Sequence, residues 1–328
     1  MSIFYVYMNK LWISIIGCTI LTGVITGILP ETPKIEAQKQ EDSQINQQDI
    51  DKLVIAVVPQ GDISKFEAQK QSLQDYFSNK TGIDVELFYP IDDTTTLASL
   101  KTGSTDIAFM SSRPALLAYE QNDGKVIAFM ADLRPFNTTG GKEILGTSYL
   151  SQYWTLKETT DINFLQDMKD KSVAFSGPLS TGGYLFPVAE LVKQNMLTPG
   201  GDPHEYFSNI LFSGGYQQSL NALLNGDVDV AAGDDWAVFT FLTPEQQEQI
   251  KIIESFGPVP THSIVYRTDL VPAELIGQFE QAMINLKNEQ PELLDSALFG
   301  ATEYVPVDHQ KHLKSLETAL NITKIPHI

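Results

Sequence analysis

Short apolar runs alternate with helix-spaced segments along most of the chain, and this alternation restricts the fold more than any other feature. "KLVIAVVP" (52–59) reads as a buried strand, and "FEAQKQSLQDYFSNKTG" (66–82) as a helix closed by Gly82. "DVELFYP" is a strand, "TTTLASLKTG" a helix ending at Gly103, and "TDIAFM" a strand that leads into "SSRPALLAYEQ". The pattern resumes after the strand-like "SYLSQYWTLKET": "INFLQDMKDKSVAF" reads as helix then strand, with further strand and helix patterns in "YFSNILFSGG" and "YQQSLNALLNGDVDVAAGDDWAVFTF". Such β-α-β-α repetition predicts sheets covered by helices. With 328 residues and 42% hydrophobic content, two units fit better than one. The expected class is α/β with two lobes, each a mostly parallel sheet flanked by helices.

In open sheets of this kind, ligands bind beyond the carboxyl ends of the strands, where loops enter helices. The mouths to watch are therefore "VVPQGD", "FMSSRP", "FSGPLSTGG", "FSGGYQQ" and "AAGDDW". The third is the most unusual. In "VAFSGPLSTGGYLFP" (173–187), a strand-like stretch gives way to Ser176, Gly177, Ser180, Thr181, Gly182 and Gly183 before a helical pattern begins. A helix leaves its first N–H groups unpaired and carries partial positive charge there. Glycines permit close approach to the backbone and the hydroxyls add donors, so the run suits an oxyanion. A plain helix cap and turn would use the same residue types. The run lacks the Gly-Lys-Ser/Thr ending of a nucleotide P-loop and does not fit a Gly-x-Ser-x-Gly nucleophile elbow.

Charge narrows the partners. Lys+Arg number 22 against 41 Asp+Glu, a formal charge of −19, which argues against general binding to nucleic acid or anionic membrane. A small anion in a local pocket remains compatible. The single cysteine, Cys18, excludes an internal disulfide framework and a Cys-rich zinc site. His309 and His312 in "DHQKH" have metal-ligand spacing without a third ligand nearby and are read as a solvated end segment; His262 is read as a loop histidine. No nucleophile–base pair stands out, so no enzyme, metal or cofactor is expected.

At the N-terminus, Lys10 precedes an apolar run from Leu11 to Leu29, followed by Pro30 and a polar stretch. That is the layout of an export signal, with possible cleavage after Ala37. The run is also long enough for an uncleaved anchor, and "SIIGC" loosely resembles a lipoprotein box at Cys18. All three readings place the folded part outside the cytoplasmic membrane. The expected division is a signal or anchor at 1–37, a polar linker at 38–51, a first lobe from 52–148 plus 267–328, and a second lobe at 149–266.

From about Lys52 to Asn321 the chain resembles the phosphate/phosphite/phosphonate-binding proteins of ABC importers, which have the two-lobed periplasmic binding fold. The resemblance is carried by "VVP", "TDIAF", "STGGYLFP" in place of the family's Ser-Thr-Ser-Gly-Tyr, "FSGGYQQSLNALLNGDVDVAAGDD", "ESFGPVPTHSIVYRTDL" and "GATEYVPVD". It implies a soluble or membrane-tethered monomer that binds a small oxyanion between the lobes and delivers it to an ABC permease. Ser180 and Thr181 then match family hydroxyls that hold the oxyanion, Tyr149 a pocket tyrosine and Asp234 a pocket acid. Gly182 stands where the family usually has a serine, and Tyr216 where a histidine is common. Arg113 lies near the first-lobe mouth, and Gly183 completes the helix entry. An ionised Asp234 only accepts hydrogen bonds, so it would favour a ligand that brings a proton or an amino group. Tyr149 and Trp236 are candidates for an apolar wall, and hinge strands are expected near Leu150–Leu156 and Ser263–Arg267.

Overall fold

The computed structural model describes residues 50–58, 63–137, 143–298 and 301–325. The N-terminal signal, anchor and lipoprotein readings, together with most of the polar linker, lie outside these. No helix among the described residues is long and apolar enough to cross a membrane.

Two mixed sheets, each flanked by helices, organise the described chain. The first has the order β12-β4-β11-β3-β1-β2, with β5 paired to β4. Its strands are β1 (Lys52–Val57), β2 (Asp84–Phe88), β3 (Ile107–Met110), β4 (Val126–Asn137), β5 (Glu143–Gly146), β11 (Ser263–Arg267) and β12 (Glu303–Pro306). The second has the order β10-β6-β9-β7-β8. It is built from β6 (Ser148–Leu156), β7 (Ser172–Phe175), β8 (Asn209–Phe212), β9 (Val230–Asp234) and β10 (Ile250–Pro260). Parallel pairing is confined to β2-β1-β3 and to β9-β7-β8. These are the strands linked by helical crossovers, as right-handed βαβ units require.

Local signals account for the helices. α1 (Ile63–Thr81) stops at Gly82, whose φ is +74°. α2 (Asp93–Thr102) starts where Asp92 Oδ1 accepts from Thr95 N at 2.7 Å and ends at Gly103, also left-handed. α3 (Ser112–Gln121) follows β3 directly. By contrast, "INFLQDMKD" forms only a 3-10 turn, Leu165–Met168, because Asp167 Oδ2 turns back to accept from Asn163 N and Phe164 N.

Burial separates two main cores. Leu53, Ile55, Phe77, Ile107 and Phe109 are buried in the first, where the Phe77 and Phe279 rings are 4.7 Å apart. Tyr153, Val173, Phe175, Phe207 and Val230 anchor the second. Each fully buried Leu or Phe contributes about 1.5–3 kcal/mol relative to exposure, enough to fix which face of each strand points inward.

Three expectations need correction. Residues 150–156 and 263–267 are interior strands of the second and first sheets, and the chain crosses between sheets at Thr147 and Thr261. These crossings are bonded to each other, Thr261 N donating to Thr147 O at 3.1 Å, and Thr261 Oγ1 donates to Asp132 O at 2.7 Å. The last helix, His309–Thr323, is not simply a part of the first unit: Leu313, Leu316 and Leu320 are buried in the second core, while its first residue touches the first. Its histidines are not a solvated end. His309 Nδ1 accepts from Ala128 N at 3.0 Å, its ring lies 4.5 Å from that of Tyr119, and His312 Nε2 sits 3.2 Å from Thr261 O. His262 does lie in the loop between β10 and β11, as read, and is buried there with Nδ1 3.4 Å from Asp132 Oδ2.

Candidate functional site

The carboxyl ends of β1 and β3 in the first sheet face those of β7 and β8 in the second across a cavity of about 500 Å³. Val58, Asp92, Asp93 and Ser111 line it on one side, and Ser176, Ser180, Gly215 and Tyr216 on the other. Both walls are thus strand-to-helix mouths, as the topology rule demands.

The mouth after β7 has a distinctive backbone. Thr181–Leu185 winds as a π-helical turn, with Leu185 N donating to Ser180 O at 3.1 Å, before α4 (Phe186–Lys193) continues. Such turns often mark functional positions. Ser180 is the N-cap, its Oγ accepting from Gly183 N at 3.0 Å. Gly183 is pressed so closely that a Cβ there would stand 2.2 Å from Ser176 Oγ.

Of the residues singled out in the sequence, Ser180 and Tyr216 face the cavity. Thr181, Gly182, Gly183, Tyr149 and Asp234 are buried around the same turn. Gly182 abuts Asp234 and Tyr149, and Ser151 Oγ donates to Gly182 O at 2.6 Å. The Thr181 hydroxyl accepts from Arg113 N at 3.0 Å, so it joins the two halves and does not line the cavity. Trp236 forms no cavity wall: its ring lies edge-on to Tyr216, with centroids 5.9 Å apart, and the Arg134 guanidinium stacks 4.6 Å from its centroid.

Arg113 is 1% exposed. Its Nη1 donates to Pro178 O, while Nε and Nη2 have no hydrogen-bond partner. Burial pulls its pKa below the usual guanidinium range. The Asp234 carboxyl is fully buried, and burial pushes its pKa well above the usual range; the Tyr216 phenol, the Arg134 charge and the Tyr149 phenol oppose that, the charge of Asp235 adds to it. Neither Asp234 oxygen has a hydrogen bond of good geometry. A protonated Asp234 is a donor as well as an acceptor, which changes its relation to an anion.

Several contributors were not foreseen. Asp92 and Asp93 place two carboxyls on the cavity wall, and burial followed by the charge of Asp92 pushes Asp93 up to about 7. The "DDTTT" start of α2 was readable as a cap, but nothing in it signalled a cavity. Asp132 and Arg134, both on β4, form a buried ion pair at 2.7 Å beside the crossings. Burial pushes the Asp132 carboxyl up, yet the Arg134 charge and the bond with His262 outweigh it and hold the carboxyl well below its usual range. Among the described residues, no group of three or more His, Cys, Asp or Glu is placed to hold a metal ion.

Residues 55–312 match the model of the family described as "ABC transporter, phosphonate, periplasmic substrate-binding protein". The chain is 25% identical over 187 residues to the phosphate-import protein PhnD of Mycolicibacterium smegmatis, an alignment covering 57% of this chain and 56% of that protein. It is 24% identical over 207 residues to the phosphonates-binding periplasmic protein of Escherichia coli K12, covering 60% and 55% respectively. The chain therefore spans little more than half the length of these curated relatives. Its fold superposes on PhnD1 of Prochlorococcus marinus, solved in complex with methylphosphonate, with a TM-score of 0.68 at 16% identity, covering 85% of this chain and 99% of that one. The chain belongs to the phosphonate-binding family of periplasmic substrate-binding proteins of ABC transporters, a family of binding proteins and not of enzymes.

Proposed function

We propose that this protein is the solute-binding component of an ABC importer and captures a phosphorus oxyanion (phosphonate, phosphite or phosphate) in the cavity between the two sheets. The reading assigns contacts to Ser180, Tyr216 and Arg113, with Thr181, Gly182, Gly183, Tyr149 and Asp234 shaping the turn behind them. The partner is a membrane permease, and the working form is an extracytoplasmic monomer.

One observation carries this reading. Polar groups that buried protein normally satisfies are left unpartnered at the mouth after β7: Ser176 Oγ, which lines the cavity, and Nε and Nη2 of Arg113, whose Nη1 bonds Pro178 O on the same loop. Each unmet buried polar group costs about 1–3 kcal/mol, so these open donors fit a ligand that accepts from them, and Asp93 Oδ1, unpartnered on the facing wall, fits one that also carries a proton or an amino group. Six to eight charged hydrogen bonds of about 1.5–3 kcal/mol comfortably reach the roughly 8 kcal/mol of micromolar binding after ordering costs.

Calorimetric titration of the purified protein with phosphate, phosphite, methylphosphonate, aminoethylphosphonate and sulfate tests the reading. Micromolar or tighter binding of at least one phosphorus oxyanion supports it, and heat from none of them removes it. A second reading, a ligand bearing an amino group, is favoured by Asp92 and Asp93 on the cavity wall, because an ammonium would pair with carboxyls that a bare dianion would meet with repulsion. Preference for aminoethylphosphonate over methylphosphonate selects this version.

A further inference from the structure

The two walls of the cavity differ in chemistry. On the second-sheet side Ser176 is 7% exposed and its Oγ has no hydrogen-bond partner, with the hydroxyls of Ser180 and Tyr216 on the same wall. On the first-sheet side the mouth between β2 and α2 supplies Ile91, Asp92 and Asp93. Asp92 is committed to starting the helix, its Oδ1 accepting from Thr95 N at 2.7 Å and from Thr95 Oγ1 at 2.8 Å. Asp93 has no such employment: its Oδ1 is shut off from solvent and has no hydrogen-bond partner. Among the described residues, the elements around it bring no cation to offset the carboxyl. α2 packs against β3, which carries no charged residue, and against α3, whose Arg113 guanidinium is turned to Pro178 O and whose Tyr119 and Glu120 lie at its far end. The facing wall adds one titratable group, the Tyr216 phenol. Burial, and then the charge of Asp92, push the Asp93 pKa up to about 7. The cavity of about 500 Å³ lies within the roughly 300–1,000 Å³ of sites that hold an organic molecule, more room than one tetrahedral ion fills.

We propose that Asp93 selects the second end of the ligand: a zwitterion sets its oxyanion against Ser176, Ser180 and Tyr216 and its ammonium against the Asp93 carboxyl, which gives up a proton to solvent as the ammonium arrives. The inference rests on the oxyanion reading above and narrows it to molecules with a phosphorus oxyanion at one end and an amino group at the other. A neutral carboxyl cannot pair with an ammonium, whereas an ionised one accepts charge-assisted hydrogen bonds from it, so ammonium and proton compete for one group. The direction of the pH dependence follows. Below about pH 7 the ammonium must displace a bound proton, and above it the carboxyl is already ionised, so affinity for the zwitterion rises with pH and levels off near pH 8. A ligand with an alkyl group in that place leaves the carboxyl protonated and gains nothing from the rise.

The test is calorimetric titration of the full chain, as wild type and as Asp93→Asn, with aminoethylphosphonate and with methylphosphonate at pH 6 and pH 8, and at pH 7 in two buffers of different ionisation heat. At pH 8 the wild type is expected to prefer aminoethylphosphonate at least tenfold, and Asp93→Asn to lose that preference. Between pH 6 and pH 8 the preference should grow about tenfold more in the wild type than in the variant. At pH 7 the wild type should release about half a proton more than Asp93→Asn on binding aminoethylphosphonate, a difference from which the ligand's own phosphonate proton cancels. If Asp93→Asn does not fold, Asp93→Ser, a residue at home in a first helical turn, takes its place with the same expectations. Equal preference in wild type and variant, or equal proton release, would overturn the proposal while leaving the oxyanion reading intact. Failure of the wild type to bind either phosphonate would remove both.

Discussion

The backbone amide of Arg113, at the start of α3, donates to the hydroxyl of Thr181, at the start of the turn that leads into α4, at 3.0 Å. One helix entry from each half therefore meets the other, and the Arg113 guanidinium adds a bond to Pro178 O on the same loop. Leu179 completes the contact by packing against the first half.

Arg113→Met keeps the length of the side chain and removes its donors. Oxyanion affinity is expected to fall at least tenfold, because hydrogen bonds to a charged group contribute about 1.5–3 kcal/mol each. The melting temperature should hold or rise, since the uncompensated buried charge disappears. Calorimetry and thermal melts check the two halves of this prediction, and a lower melting point with unchanged affinity would restrict Arg113 to joining the sheets.

Ser180→Ala with Thr181→Ala removes a cap and an interhalf acceptor together. A stability loss of about 1–3 kcal/mol is expected from the lost cap and the stranded Arg113 amide. Binding should weaken at least tenfold beyond that loss. Urea denaturation measured beside a titration separates the effects: a stability change with unaltered affinity would leave the hydroxyls as caps only.

Asp93 sets a pH signature. Its folded pKa, pushed up to about 7, lies above the ordinary unfolded value near 4, so the protonated form is favoured by folding. The stability tied to that proton is complete below about pH 4 and is lost as pH rises through about 7. Asp93→Asn should therefore stabilise the protein at pH 8 by up to about 4 kcal/mol and have little effect at pH 4. Parallel melts at the two pH values test this, and equal shifts at both would refute it.

The buried pair Asp132–Arg134 predicts an asymmetry between single and double substitution. Arg134→Leu alone leaves Asp132 ionised without its nearest cation and is expected to cost about 3–5 kcal/mol. Asp132→Asn combined with Arg134→Leu should cost clearly less. Chemical denaturation of the wild type, Arg134→Leu, Asp132→Asn and the double variant decides, and simple additivity would mean the pair contributes no coupling.

Much of the architecture was legible because it rests on short-range rules. β1, β2 and β3, the helices between them, and the closures at Gly82 and Gly103 follow from periodicity and from residues that stop helices. Ser180 at a helix entry facing a cavity was legible for the same reason. What escaped was long-range. Nothing near Arg134 in the sequence indicates that Trp236 stacks on it, and nothing near Thr181 indicates that Arg113 uses its hydroxyl. His309 and His312 looked solvent-facing because their helix is polar on one side; its apolar side finds a core whose strands belong to the second sheet and are separated from it in sequence by the return through the first. Gly182 was recognised as a departure from the family pattern, but its spatial cause needed the positions of Asp234 and Tyr149.

The placement of the last helix has a practical consequence for anyone dividing the protein. Residues 148–260 supply every strand of the second sheet, yet an excerpt with those limits would present bare hydrocarbon where Leu313, Leu316 and Leu320 belong. Neither half is a continuous stretch of polypeptide, so removing the final helix would damage the half it does not adjoin in sequence. Tags, truncations and split designs that treat the tail as an appendage would unseat the cavity wall at the Thr181–Leu185 turn, against which this helix packs.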